Sequence, residues 1–268
     1  MKLLNDIIIK KKIKEKFNLL FKNGKKNKKK KNIILTEFGN ATFNHIASAY
    51  LCDVICKKYN ARIVAYPGYQ LLSSNLNLNF IQKLKWKVGN LFSLKSFGIH
   101  NSFGVSKIFW PEITNEINLK AIKEFNKYDK IIRSKSDLEN YKINNILIGD
   151  LIYDSFLKKN LAPTLDISSK NFRNFFLDSL KLYFFWENYF KKNAVKSLVL
   201  YHSVYISALP LRIALSKNIP SYIYNYERFY KLNQSRKFVG LEYLDYKKKF
   251  NLFSENKKKE YLNLSKKK

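Results

Sequence analysis

The chain has 268 residues, 46% of them apolar, which is enough for one domain with a real core, or one domain with attachments. Its 51 Lys+Arg against 20 Asp+Glu leave a formal net charge of +31, a balance that ordinarily points to nucleic acid or an anionic membrane surface. The excess is mostly lysine, gathers at the two ends, and comes with abundant Asn, Ile, Phe and Tyr. That composition resembles the drift of an AT-rich coding sequence, and with no ordered arginine array in the middle it disfavours a nucleic-acid binder, which stays as a rival reading.

The two cysteines, Cys52 and Cys56, stand four apart with no others. That spacing is no recognisable metal site, and two buried thiols in a reducing cytosol is the expectation. No secretory signal is visible, because lysines break the early apolar run. No uninterrupted apolar run reaches the ~18–20 residues of a membrane span.

In chain order, residues 1–21 alternate apolar and basic at roughly helical spacing, a basic amphipathic helix suited to an anionic bilayer or to its own domain surface. KNGKKNKKKKN (residues 22–32) has no apolar residue and reads as a flexible linker. Ile33-Ile34-Leu35 is a short buried strand, followed by a polar loop through Glu37, Gly39 and Asn40. Asn44 then caps a helix from about His45 to Tyr59, and residues 61–66 form the next strand, stopped by Pro67-Gly68. Strand, helix, strand in this compass is a βαβ unit with parallel strands.

Residues 70–92, rich in Leu, Asn and Lys, read as a helix or an irregular excursion, and residues 97–104 as turns. Helical spacing returns over 113–128 and, with many aromatics, over 172–190, where the stripe is expected to be core. A second βαβ unit follows: a strand at 197–201, a helix at 208–217 and a strand at 220–224. The last residues are Lys-rich without a core pattern. The fold class expected is α/β, a three-layer α/β/α Rossmann-like domain with a mostly parallel sheet. It would comprise a basic amphipathic helix and linker (1–32), the domain itself (33–240) and a tail (241–268).

Between the two units lies Ile146-Leu147-Ile148-Gly149-Asp150-Leu151-Ile152-Tyr153-Asp154. Gly149 permits a turn that a Cβ disfavours, and Asp150 is a good N-cap for the amphipathic segment after it. Asp150 and Asp154 share a helix face and repel unless a cation is near. In an open parallel sheet, ligands bind outside the carboxyl ends of the strands. His45 and His202 fall there. Glu37, Gly39 and Asn40 share the first loop, Ser203 and Tyr205 the second, and Arg212 lies beyond His202. A histidine so placed is a candidate general base for a sugar hydroxyl, or a hydrogen-bond donor to phosphate. GxGxxG, GxxxxGK[ST], HExxH and GxSxG are all missing, which disfavours a nicotinamide enzyme, a P-loop ATPase, a zinc protease and an α/β-hydrolase.

ILTEFGN with His45 in NHIASAYL, ARIVAYPG, IGDLIYDSFL with Pro163-Thr164, and LYHSVYISALPLRIAL with His202, Tyr205 and Arg212 together resemble bacterial capsular or surface polysaccharide biosynthesis proteins. These are glycosyltransferase-like proteins of the two-Rossmann-domain (GT-B) type. The resemblance covers about residues 33–228, the amino-terminal half of that family, and GDLIYDS is its most specific piece. It implies transfer of sugar from a nucleotide-sugar to a saccharide or lipid-linked acceptor at the cytoplasmic face of the membrane. No metal and no cofactor beyond that donor substrate are expected. His45 or His202 would be the base, Asp150, Tyr153 and Asp154 would line or brace the cleft, and Arg212 would balance phosphate charge. The family's second Rossmann domain, which usually holds most of the donor, would follow about residue 240, so the resemblance implies either an amino-terminal piece of a split or truncated protein or a partner chain that carries the missing half. An anionic membrane surface is another expected partner, through residues 1–31. The alternative reading is a non-catalytic, membrane-docked binding or scaffold module that a partner chain completes.

Overall fold

The computed structural model describes residues 15–16, 19–39, 42–68, 78–94, 96–225, 228–235, 237 and 246–266. It divides into two compact units, residues 1–237 and 238–268. In the first unit β1 (Ile33–Phe38), β2 (Arg62–Pro67), β3 (Val105–Ile108), β6 (Val195–Leu200), β7 (Ser221–Asn225) and β8 (Arg228–Leu232) form one sheet in the order β3-β2-β1-β6-β7-β8. All neighbours run parallel except the β7–β8 pair. Helices cover both faces, as expected for a Rossmann-like three-layer fold.

The first helical layer is α2 (Thr42–Tyr59). It seals one face with Ala49, Cys52, Ile55 and Cys56 against Ile34, Phe38, Ile63, Ala65 and Val199. Both cysteines are free and buried, as expected, and burial pushes the Cys52 thiol up to about 12, Asp53 adding to it and a hydrogen bond with Thr36 opposing.

The other face is closed by α9 (Lys170–Lys192), whose aromatic stripe is indeed core: Phe172, Phe176, Leu180, Tyr183 and Trp186 are essentially sealed from solvent. It leans on α5 (Asn115–Phe125) and α10 (Leu209–Ser216). Between them the chain makes α6 (Tyr128–Ile131), α7 (Lys135–Glu139), a small hairpin of β4 (Lys142–Ile143) and β5 (Ile146–Leu147), and α8 (Gly149–Asn160). The hairpin turns through Asn144 and Asn145, both at positive φ, the conformation that asparagine tolerates in a primed two-residue turn.

Several expectations change. The segment at 22–32 is not wholly a flexible linker: α1 (Lys22–Lys26) is packed, with Gly24 N–H donating to Asp53 Oδ1 and Asn23 to Asp53 Oδ2. Just before it, Phe21 is fully buried against Tyr50 and Phe103. The folded unit thus starts earlier than residue 33. Most of the basic amphipathic segment, residues 1–14, 17 and 18, lies outside the described residues. The turn-rich reading of 97–104 gives way to α4 (Ser96–Ser102), leading into β3, and α3 (Phe80–Leu91) precedes it. In the second unit α11 (Tyr246–Asn251) and α12 (Glu255–Lys266) are helical, and α12 has no buried residue, which suits a tail without a core pattern.

Candidate functional site

The strand order reverses between β1 and β6, so the crevice outside their carboxyl ends is the topological switch point where open α/β sheets hold ligands. Glu37 sits there. It was expected in a loop, but β1 runs on through Thr36, Glu37 and Phe38. The Glu37 side chain has no exposure at all, and its carboxylate is satisfied by groups far along the chain. Oε2 accepts the backbone N–H of Tyr201 and of His202, each at 3.0 Å, and Oε1 meets His202 Nδ1 at 2.5 Å. A buried carboxylate needs such donors.

Glycines make the space. A Cβ on Gly68 would stand 1.9 Å from Glu37 Oε1, and one on Gly39 would stand 1.8 Å from the Tyr201 hydroxyl. Glu37 pairs in register with Tyr66, so their side chains share a face. Tyr66 is fully buried against Trp186, and its hydroxyl has no hydrogen bond among the described residues. Burial, and then the charge of Glu37, push the phenols of Tyr66 and Tyr201 well above their usual value, which keeps both as neutral O–H donors beside the carboxylate. Neither tyrosine stood out in the sequence. The only signals were their positions, Tyr66 ahead of Pro67-Gly68 and Tyr201 ahead of His202.

His202 is the centre of the arrangement. Burial by itself would lower its pKa, but the hydrogen bond to Glu37 and that group's charge outweigh it, and the net direction is up. The carboxylate fixes the proton on Nδ1 and makes Nε2 the basic nitrogen, the pairing used to orient an imidazole as a proton acceptor. His45 lies in the first turns of α2, with its side chain outside the described residues, as is Asn40. The joint placement of His45 and His202 therefore stays an expectation from the sequence.

A second cluster joins α8 to the segment after β6. The helix starts at Gly149, so Asp150 lies in its first turn rather than at the cap, and Gly149 is needed for close approach: a Cβ would stand 1.6 Å from the Leu138 carbonyl. Asp150 Oδ2 takes Arg212 Nη2 at 2.6 Å, while Arg212 Nη1 reaches the Leu147 carbonyl at 3.3 Å. Arg212 is only 5% exposed. It braces α10 against α8, and its charge is balanced inside the chain, which argues against the phosphate role expected for it. Asp154 has its carboxyl pushed up by burial, then by Asp150 and Glu139, with Lys135 opposing. Lys135 lies 4.7 Å over the ring of Tyr153.

Ser155, which drew no notice in the sequence, is fully buried and links the two elements, accepting Ile206 N–H at 2.6 Å and donating to Leu151 O. Ser203 is buried in the same segment. Tyr205 holds φ 59° and ψ −174°, a region that side chains other than glycine's rarely enter, at a cost of order 1–3 kcal/mol. Tyr205 and Asp154 line one cavity of about 460 Å³ with Leu157, Lys158 and Val204.

A larger cleft of about 770 Å³ opens at the carboxyl end of β3. Trp86, Phe109, Trp110 and Tyr189 face it, with Lys83, Lys87 and Lys107. It lies two strands from β1, about 10 Å at the usual strand spacing, and Trp86 packs directly on Phe38. Among the described residues no group of three or more His, Cys, Asp or Glu is placed to hold a metal ion, and no helix is long and apolar enough to cross a membrane.

Comparison of the chain with protein-family models, with curated proteins and with solved structures gave no match. Fold and site define the class: a Rossmann-like α/β chain with a buried glutamate holding a partly exposed histidine at its switch point.

Proposed function

We propose that this chain is a glycosyltransferase-like protein of capsular or surface polysaccharide biosynthesis, working at the cytoplasmic face of the membrane. In this reading it contributes the acceptor-side half of a two-domain enzyme that transfers sugar from a nucleotide-sugar. The observation that carries it is His202, held by the buried Glu37 at the switch point of the sheet. The acceptor hydroxyl would give its proton to His202 Nε2 as its oxygen bonds to the anomeric carbon. The nucleoside diphosphate would leave with the electron pair of the broken bond. The aromatic cleft beside β3 supports the same reading, since flat ring faces and lysines suit a saccharide carrying negative charge. The donor nucleotide would be held largely by a second Rossmann domain.

The test is ligand-dependent thermal stabilisation of the full chain, because Phe21 and α1 belong to the folded unit. A panel of nucleotide-sugars, nucleoside diphosphates and acidic saccharides is scanned, and binding to the native state alone must raise the Tm. A saccharide-dependent rise that His202→Ala removes is the expected result. A flat response across the panel would refute the reading.

One observation favours a second reading. Glu37 takes two backbone N–H groups as well as the imidazole, which is also how a carboxylate staples a loop in a non-catalytic binding module. A saccharide-induced rise that survives His202→Ala would select that reading.

A further inference from the structure

Helix α3 carries its apolar stripe on the outside. At 100° per residue, Phe80, Ile81, Leu84, Val88 and Leu91 fall within about a 100° arc, and they are 80%, 62%, 51%, 39% and 78% exposed. Phe92 and Leu94 continue the stripe past the helix end, also exposed. The opposite side anchors the helix: Gly89 is buried so close to Phe97 that a Cβ would stand 2.8 Å from the ring, and Trp86 packs on Phe38 and Phe97. The first turn is locked by a capping box between Asn79 and Gln82. This is therefore a well-formed helix, and its outward face is the apolar one.

Lysines flank the stripe on both sides, Lys83 and Lys87 on one and Lys85 on the other, and residues 80–94 contain no acid. We propose that α3 lies in the interface of an anionic bilayer, with Phe80, Leu84, Val88 and Leu91 in the acyl region and the lysines among the headgroups. Charge complementarity selects the occupant: apolar residues edged by cations match lipid tails edged by phosphates, and the chain's net charge of +31 favours the same surface. The surface rests on α3 alone and stands or falls separately from the Glu37–His202 reading. Lys83 and Lys87 also line the aromatic cleft, so docking in this way sets that cleft at the headgroup level.

The experiment is co-sedimentation of the full chain with vesicles of phosphatidylcholine alone or with one third phosphatidylglycerol. Binding to the anionic vesicles is expected. Leu84→Glu with Leu91→Glu should weaken the partition about tenfold or more, with an unchanged Tm because both positions are exposed. Lys83→Gln and Lys87→Gln should each cost about fivefold on anionic vesicles only. Wild-type binding by the double glutamate variant would overturn the proposal and leave attraction to the chain's other lysines. So would no binding by the wild type, or a change confined to the oligomeric state of the chain in solution, which would make the stripe a protein interface.

Discussion

Glu37 and Gly68 depend on each other. The carboxylate fills the volume a side chain at 68 would need, and any Cβ there must displace it from its partners on His202 and Tyr201. Gly68→Ala is therefore expected to destabilise the fold by about 2–4 kcal/mol, the cost of disrupting a buried, hydrogen-bonded charge, as read from urea or thermal unfolding. His202 gives a pH signature with a definite sign. Its folded pKa is raised above the unfolded value of about 6.5. The pair's contribution is thus complete below that value and is lost as pH climbs through the folded pKa. The stability gap between wild type and His202→Gln should be widest in mild acid and should close in alkali. A gap that widens as the pH rises would contradict the pairing.

At the scale of elements, what the sequence made legible was what local pattern decides. The strands that begin at 33, 62, 195 and 221 are apolar runs bounded by turn residues, and the helices at 42–59, 115–125 and 170–192 carry their own periodicity. The elements that were missed are held by distant partners. Glu37 belongs to β1 because backbone N–H groups some 164 residues on complete it. Lys22–Lys26 is helical, without one apolar side chain, because Asp53 receives Gly24 N–H. β3 is a short edge strand with two apolar residues of four, too little for a signal. α3 was half legible. Its spacing is helical, but amphipathicity alone does not say which face looks outward, and only the packing of Gly89 and Trp86 settles that.

At the scale of the whole molecule, two parallel-strand units wound in opposite directions bring their carboxyl ends together, and the site follows from that topology. The expected convergence of the loops after β1 and β6, which carry Glu37 and His202, at the carboxyl ends of the strands was readable from strand order. The pairing of Asp150, expected to line or brace the cleft, with Arg212, expected to balance phosphate charge, was not, because their mutual ion pair is a fact of packing between α8 and α10. The charge excess has no fixed relation to this core: the acidic groups that matter, Glu37, Asp53 and Asp150, each have partners within it.

The central claim is that Glu37 tunes His202, and NMR titration of the His202 imidazole tests it most directly. The account predicts a midpoint above 6.5 in the wild type, and a fall below 6.5 in Glu37→Gln, where burial acts without the opposing carboxylate. If Glu37→Gln does not fold, the wild-type midpoint alone decides. A wild-type midpoint at or below 6.5, or one unchanged by Glu37→Gln, would contradict the coupling on which the site is built.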